Sequence, residues 1–266
     1  MASQRHPAVA GTFYPGDRDS LRRMVQELVD SAPVEEASPP KAVIAPHAGY
    51  PFSGGVAAAA YAQLAALRDQ VKRVVLIGPS HHVPFRGLAV SSAGAFTTPL
   101  GAIPLDGEAT ETALSLPGVT TLDAAHAREH SLETQLPFLQ EVLGEFQLIP
   151  MVVGDAAPEQ VAGVLEALWG GPETLVVVSS DLSHFHDDAT ARELDTATAR
   201  AIEALDPGRV GPENACGCRP VNGLLWLAHR QGHRITTLDL RNSGDAGAPP
   251  ERVVGYGAFA LEEAAQ

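Results

Sequence analysis

The sequence predicts a single α/β domain over residues 1-266, and three observations carry that prediction. Apolar runs of strand length, such as Val74–Ile77, Gln147–Val153 and Leu175–Ser180, continue without alternation and so read as strands buried on both faces. Segments with helical spacing follow them in turn along the chain. No internal repeat, low-complexity tract or linker interrupts the pattern. At 266 residues the chain is long enough to bury a sizeable core.

In order, residues before Asp17 form an arm punctuated by Gly and Pro. Leu21, Met24, Val25, Leu28 and Val29 then recur at helical spacing, which predicts an amphipathic helix to about Asp30. Residues 31-40 read as a surface loop, and Ala42–Ala45 as a buried strand ended by Pro46. Gly49, Gly54 and Gly55 break the next segment before an Ala-rich helix from about Val56 to Leu67. The strand Val74–Gly78 runs into Pro79. Leu88–Ser91 and Ala102–Leu105 are strand candidates on either side of Gly94–Pro99, a stretch suited to a hairpin. Asp106 is placed to cap a helix to about Leu114, and Thr121–Asp123 is a short strand candidate. Ala124–His130 reads as polar loop, and Ser131–Leu143 as a helix with Ser131 as cap, which Pro137 either kinks or delays. Gln147–Val153 is a strand, Val161–Trp169 a helix and Leu175–Ser180 a strand. Asp187 or Asp188 caps a helix through Leu205, and a further helix follows Cys216–Pro220 to about Arg230. Arg234–Leu240 and Val253–Leu261 are closing strands.

Composition excludes several function classes. Hydrophobic content of 45% and charged content of 19% are those of an ordinary globular chain. A formal charge of −14 repels a phosphate backbone and an anionic bilayer, so neither nucleic acid nor membrane is an expected partner. The N-terminus has no apolar signal-like core, and the longest apolar tract, Val56–Leu67, is too short to span a bilayer. Cys216 and Cys218 are too close in sequence for an ordinary disulfide. A cytoplasmic protein is expected.

The chemistry concentrates where strands end. Ala45 leads into His47, Ile77 into His81 and His82, and Ser180 into Asp181, His184 and His186. In an open α/β sheet the loops beyond the carboxyl ends of parallel strands form the ligand crevice, so parallel strands would converge these imidazoles on one site. Imidazoles joined by a thiolate or carboxylate make a transition-metal site. The candidate anions are Asp181, Glu129, Glu133, Cys216 and Cys218, and spacing does not choose among them. Cys216 precedes a helix and lies near Arg219, which favours thiolate, although a free cysteine also serves as a small buried hydrophobe. Glu129 and His130 sit at a predicted helix start and line the same pocket, or act there as caps. His82 is either a neighbour of the ligands or solvated. His6, His126, His229 and His233 belong to no constellation and read as surface residues. Ser80 and Ser183 lie beside histidines but not in a G-x-S-x-G elbow, which speaks against a serine hydrolase.

The ordered segments RHPAVAGTFYP, APHAGYPFSG, GPSHH, EHSLETQLPFL, SSDLSH, the CG-x-x-P around Cys216 and the closing VVGYGA resemble the Memo family, known in bacteria and archaea as AmmeMemoRadiSam system protein B. The resemblance runs from about Arg5 to Phe259. It implies a three-layer α/β/α domain with a mostly parallel central sheet, similar to the class III extradiol ring-cleaving dioxygenases. It also places metal ligands on His47, His81 and Cys216 and an acid/base histidine at His184, and Asp181 is expected beside them as a partner orienting a neighbouring histidine. Cys218 is no part of that pattern and stands as a possible accessory thiol. A thiolate where the dioxygenases use carboxylate alters the metal's redox behaviour, so ring cleavage is not inherited with the fold.

The expected function is a mononuclear redox-metal protein, with Fe(II) ahead of copper, activating dioxygen or a small substrate while His184 moves protons. A zinc ion polarising water for hydrolysis is one alternative. A non-catalytic adaptor that takes a peptide or phosphopeptide in the same pocket is another, and would require Arg86, Arg128 and Arg219 to gather there. The resemblance further implies a functional link to radical-SAM and AMMECR1-type proteins.

Overall fold

A computed structural model describes residues 3–34 and 39–264, so part of the loop predicted at 31-40 lies outside the described residues. In chain order the first half contains β1 (Gln4–Arg5), α1 (Arg18–Asp30), β2 (Ala42–Ala45), α2 (Tyr50–Ala62), β3 (Arg73–Pro79), β4 (Leu88–Val90), β5 (Ala95–Thr98), β6 (Gly101–Pro104), α3 (Gly107–Leu114), β7 (Val119–Thr121) and α4 (Asp123–Ala127). The second half contains α5 (Leu136–Leu143), β8 (Gln147–Val153), α6 (Pro158–Ala167), β9 (Thr174–Ser179), β10 (His184–His186), α7 (Asp188–Glu203), α8 (Cys218–Gln231), β11 (Arg234–Asn242) and β12 (Val253–Glu262).

The large sheet runs β10-β12-β2-β9-β3-β8-β4-β7, and β11 also pairs with β12. Its centre, β2-β9-β3-β8, is parallel throughout. Antiparallel pairings of β12 with β2 and of β4 with β8 flank that centre. Because side chains alternate along a strand, each central strand feeds two cores. Ile44, Val75, Ile77, Ile149, Met151, Val176 and Val178 face one side, where Val161 and Leu165 of α6 and Leu224 and Leu227 of α8 cover them. Val43, Val74, Leu76, Leu148, Val152 and Val177 face the other, against Leu21 and Val25 of α1, Ala58 of α2 and Leu136 and Leu139 of α5. The result is the α/β/α layering that the resemblance implied. A small second sheet joins β1, β5 and β6, so the expected hairpin forms and the N-terminal arm contributes a strand to it.

Several elements differ from the sequence expectation for identifiable reasons. Helix α2 begins at Tyr50, with Gly49 before it and Pro51 in its first turn, and runs through Gly54 and Gly55. A Cβ on Gly54 would lie 2.9 Å from Leu28 Cδ1, so the glycine marks close packing of α1 on α2, not a break. The stretch expected as loop at Ala124–His130 contains α4, and His126, expected at the surface, is buried there with Nε2 donating to Ala89 O at 3.0 Å. Pro137 delays the next helix: a 3-10 turn at Glu133–Gln135 precedes α5, and Ser131 donates its hydroxyl to Pro79 O instead of capping. Strand β7 lies two residues earlier than its candidate, and the supposed loop after Asp181 contains the short β10. His233 is half-buried and stacks on Trp169, whereas His6 and His229 are exposed as expected.

Candidate metal centre

Three neighbouring parallel strands end on one edge of the sheet, and each carries a chemical side chain two residues beyond its end or bridge. His47 follows Ala45 of β2, His81 follows Pro79 of β3, and Asp181 follows Ser179 of β9, which lies between them. Cys216 comes from the turn before α8. Gly217 lets that turn settle on the end of β9: an added Cβ would lie 2.6 Å from Ser179 O, and Gly217 N donates to Ser180 Oγ at 3.0 Å.

His47, His81 and Cys216 each offer a donor atom, and these atoms lie within 4.8 Å of one another, so the three could hold a metal ion. Cys216 Sγ is 3.3 Å from His47 Nε2 and 3.7 Å from Asp181 O. The two rings meet edge to face with centroids 5.2 Å apart. His47 is buried at 2% exposure, while the His81 side chain keeps 27%, so the site is closed beneath and open at one lip.

Glu129 sets His81. It is 1% exposed, and its Oε1 accepts from His81 Nδ1 at 2.8 Å, His130 N at 2.9 Å and Ser131 N at 2.9 Å, while Oε2 accepts from His81 N at 2.6 Å. Burial pushes this carboxyl up, but the His81 hydrogen bonds and charge outweigh it and hold the group well below its ordinary range. The ionised carboxylate only accepts, so Nδ1 of His81 carries a hydrogen and Nε2 is the nitrogen left free. His81, Glu129 and His130 also bring donor atoms within 4.8 Å of one another, but Glu129 already takes four hydrogen bonds and serves better as an anchor than as a ligand.

Burial, reinforced by His81, depresses the His47 pKa to about 3, and burial with His47 and His81 depresses that of His130 to about 4. Both rings are neutral near pH 7. Burial, followed by the charge of Asp181, pushes the Cys216 thiol well above its usual value. Burial likewise raises Asp181, against the opposing hydrogen bond from His47 N at 2.7 Å. A thiol and a carboxyl confined together without a cation both favour protonation.

The remaining expected site residues fall around this centre. His130 stacks on His81 at 4.6 Å and lies 5.5 Å from the His47 ring. His82 is exposed, 6.1 Å from His130. His184 Nδ1 donates to Leu182 O at 2.7 Å. Asp181 holds the His47 backbone, while the His47 ring Nδ1 is taken by Ser179 Oγ at 2.8 Å. Cys218 points elsewhere, 7% exposed in the apolar cluster under α8. Arg219 is paired with Asp155 at 2.8 Å.

Sequence reasoning missed Ser179, which closes an apolar run, and the part played by the N-terminal arm. Arg5 pairs with Glu133 in the interior, and its other nitrogens donate to His126 O at 3.1 Å and Glu129 O at 2.5 Å. Glu133 also accepts from Ala8 N at 2.7 Å, Val9 N at 2.9 Å and Tyr14 OH at 2.6 Å. This strap sets Phe13 edge-on against His130 with centroids 5.0 Å apart, so the arm walls the crevice. The only sequence signal was the density of motif residues in the arm.

Comparison with known proteins gives concordant results. A family model described as Memo-like protein matches residues 5–260. A MEMO1 family protein of Aquifex aeolicus is 35% identical over 263 residues, covering 95% of this chain and 97% of its own. Another from Thermotoga maritima is 34% identical, covering 95% and 98%, and one from Methanobrevibacter smithii 33%, covering 95% and 97%. Among solved structures, an uncharacterized Escherichia coli K12 protein, JW3007, superposes with a TM-score of 0.51 at 12% identity, covering 82% of this chain and 98% of its own, a likeness of fold alone.

Proposed function

The chain belongs to the Memo-like protein family, and from that premise we propose that it is a mononuclear metal-binding protein whose ion is held by His47, His81 and Cys216. The observation that carries the proposal is the convergence of two imidazoles and one thiol within 4.8 Å. The donor set suits a borderline or soft transition metal, with iron first, copper second and zinc third. The residues fit such an ion. His47 presents a neutral ring, Glu129 backs the His81 ring as carboxylates back metal-bound histidines, and the half-buried Cys216 thiol sits beside Asp181, where a cation would favour its thiolate.

A bound redox metal would supply open positions for dioxygen or a small substrate. The chain's own residues do the rest. His184 has Nδ1 tied to Leu182 O, so its Nε2 is the atom available to give or take a proton. Asp181 holds the backbone of His47 in place, and Phe13 and His130 line one wall.

The test is elemental analysis of protein purified without oxygen, wild type beside Cys216→Ser and His47→Ala, with colour and electron paramagnetic resonance as second readouts. Stoichiometric iron or copper lost in both variants supports the proposal. Colourless protein carrying zinc replaces redox chemistry with water polarisation. Metal at background in the wild type overturns the proposal and leaves the crevice as a binding pocket for a peptide or small molecule.

A further inference from the structure

Beneath His47 lies a chain of buried polar groups inside an apolar layer, and hydrogen counting determines its direction. Ser179, Gln135 and Tyr61 are each 0% exposed. Ser179 Oγ lies 2.6 Å from Ser131 O, a carbonyl that can only accept, so the single hydroxyl hydrogen points there. Gln135 Nε2 is 2.9 Å from Pro46 O and 2.8 Å from Ser179 Oγ, while its Oε1 is 2.7 Å from Tyr61 OH. Flipping the amide would set its oxygen against the Pro46 carbonyl, so Nε2 donates in both directions and Oε1 accepts from the tyrosine. The hydroxyl of Ser179 has then given its hydrogen and taken one. Toward His47 Nδ1, at 2.8 Å, only a lone pair remains.

We propose that Ser179, oriented by Gln135 and Ser131, is a positioning residue that confines His47 to the Nδ1–H tautomer and so presents a bare Nε2 to Cys216. The inference deepens the metal-site reading and rests on it only for the consequence to metal affinity. The contact between Cys216 Sγ and His47 Nε2 at 3.3 Å is compatible with it, since a bare Nε2 can accept from the thiol, but the tautomer rests on Ser179, because the thiol hydrogen also has Asp181 O at 3.7 Å as an acceptor. The neighbouring ligand His81 is locked the same way through Nδ1, but by a carboxylate, so the two imidazoles differ in what backs them. A neutral hydroxyl makes His47 the weaker electron donor of the pair.

The experiment uses the full chain, metal-free, with 15N-labelled histidine, and reads the His47 ring nitrogen shifts by NMR before titration with Fe(II) under anaerobic conditions. The wild type is expected to show a protonated Nδ1 and an unprotonated Nε2. Ser179→Ala is expected to lose the single tautomer and to weaken Fe(II) by about 10- to 100-fold. Tyr61→Phe is the control: it costs the same network a hydrogen bond, yet Gln135 stays tied to Pro46 O, so the tautomer is expected to persist. Wild-type His47 protonated on Nε2 would overturn the proposal. So would Ser179→Ala with either the tautomer or the affinity unchanged, or Tyr61→Phe disturbing the tautomer as much as Ser179→Ala. A wild type that shows the Nδ1–H tautomer but binds no Fe(II) would sink the metal reading and leave the tautomer assignment standing.

Discussion

Replacing Glu133 by alanine tests whether the N-terminal arm is a structural wall of the crevice. The carboxylate is 0% exposed and is the common acceptor for the Arg5 guanidinium, the amides of Ala8 and Val9, and the Tyr14 hydroxyl. Removing it leaves a buried cation without its counter-charge and the buried Tyr14 hydroxyl without its acceptor. Breaking a buried pair from one side costs about 3–5 kcal/mol. At about 2–4 °C per kcal/mol for a chain of this size, the midpoint of thermal unfolding should fall by about 6–20 °C. Differential scanning calorimetry reads that shift, and limited proteolysis should show new cleavage within the first 16 residues. Because the cost is mainly that of stranding a charge, the double variant Arg5→Met with Glu133→Leu should be less damaged than the two single changes add up to. A Glu133→Ala midpoint within about 2 °C of wild type would refute the reasoning, since such a loss lies below the cost of breaking a buried pair from one side.

Other consequences can be checked as directly. Burial holds the His126 pKa near 4, against 6.5 for the exposed side chain. Below pH 6.5 the unfolded chain therefore takes a proton that the folded one refuses, and stability should fall by about 3 kcal/mol for this residue as the pH drops toward 4. Urea unfolding at pH 7 and pH 5 should register about 2 kcal/mol of that fall in the wild type that His126→Gln lacks, and an equal pH dependence in the two proteins would contradict it. Cys218→Ala should keep the metal content of the wild type and lose about 1 kcal/mol of stability, because that side chain packs in the apolar cluster away from His47; metal loss would give Cys218 a role at the site. Gly217→Ala drives a Cβ to 2.6 Å from Ser179 O, so about 1–3 kcal/mol of stability and the seating of Cys216 should go together, seen as a lower unfolding midpoint with reduced metal retention. Glu129→Gln leaves buried donors facing an amide and should weaken metal binding about 10- to 100-fold, read by anaerobic titration.

The layers were legible because strands buried on both faces leave continuous apolar runs, and β2, β3, β8 and β9 sit within a residue of where those runs lie. The strand-end histidines were legible for a related reason, since a polar residue following such a run must lie on the edge of the sheet. What escaped depends on contacts distant in sequence. His126 is buried because Phe96 and Ala89 come to it from other elements, and nothing in Ala124–His130 announces them. Spacing alone could not separate Cys216 from Cys218, because which side of a turn faces the crevice depends on how Gly217 meets β9. Ser179 reads as the last residue of a strand. Its importance arises from three partners, Ser131, Gln135 and His47, that the chain order keeps apart.

His47 and Cys216 touch although 169 residues separate them, and β9 stands between the two histidine-bearing strands. An ion gripped by all three donors would therefore be a cross-link across most of the polypeptide, available only after the centre of the sheet is assembled. Its binding energy would then add to the free energy of folding. Chelation would then act on the whole chain at once, and the rate at which the ion leaves would be tied to the rate at which the sheet opens.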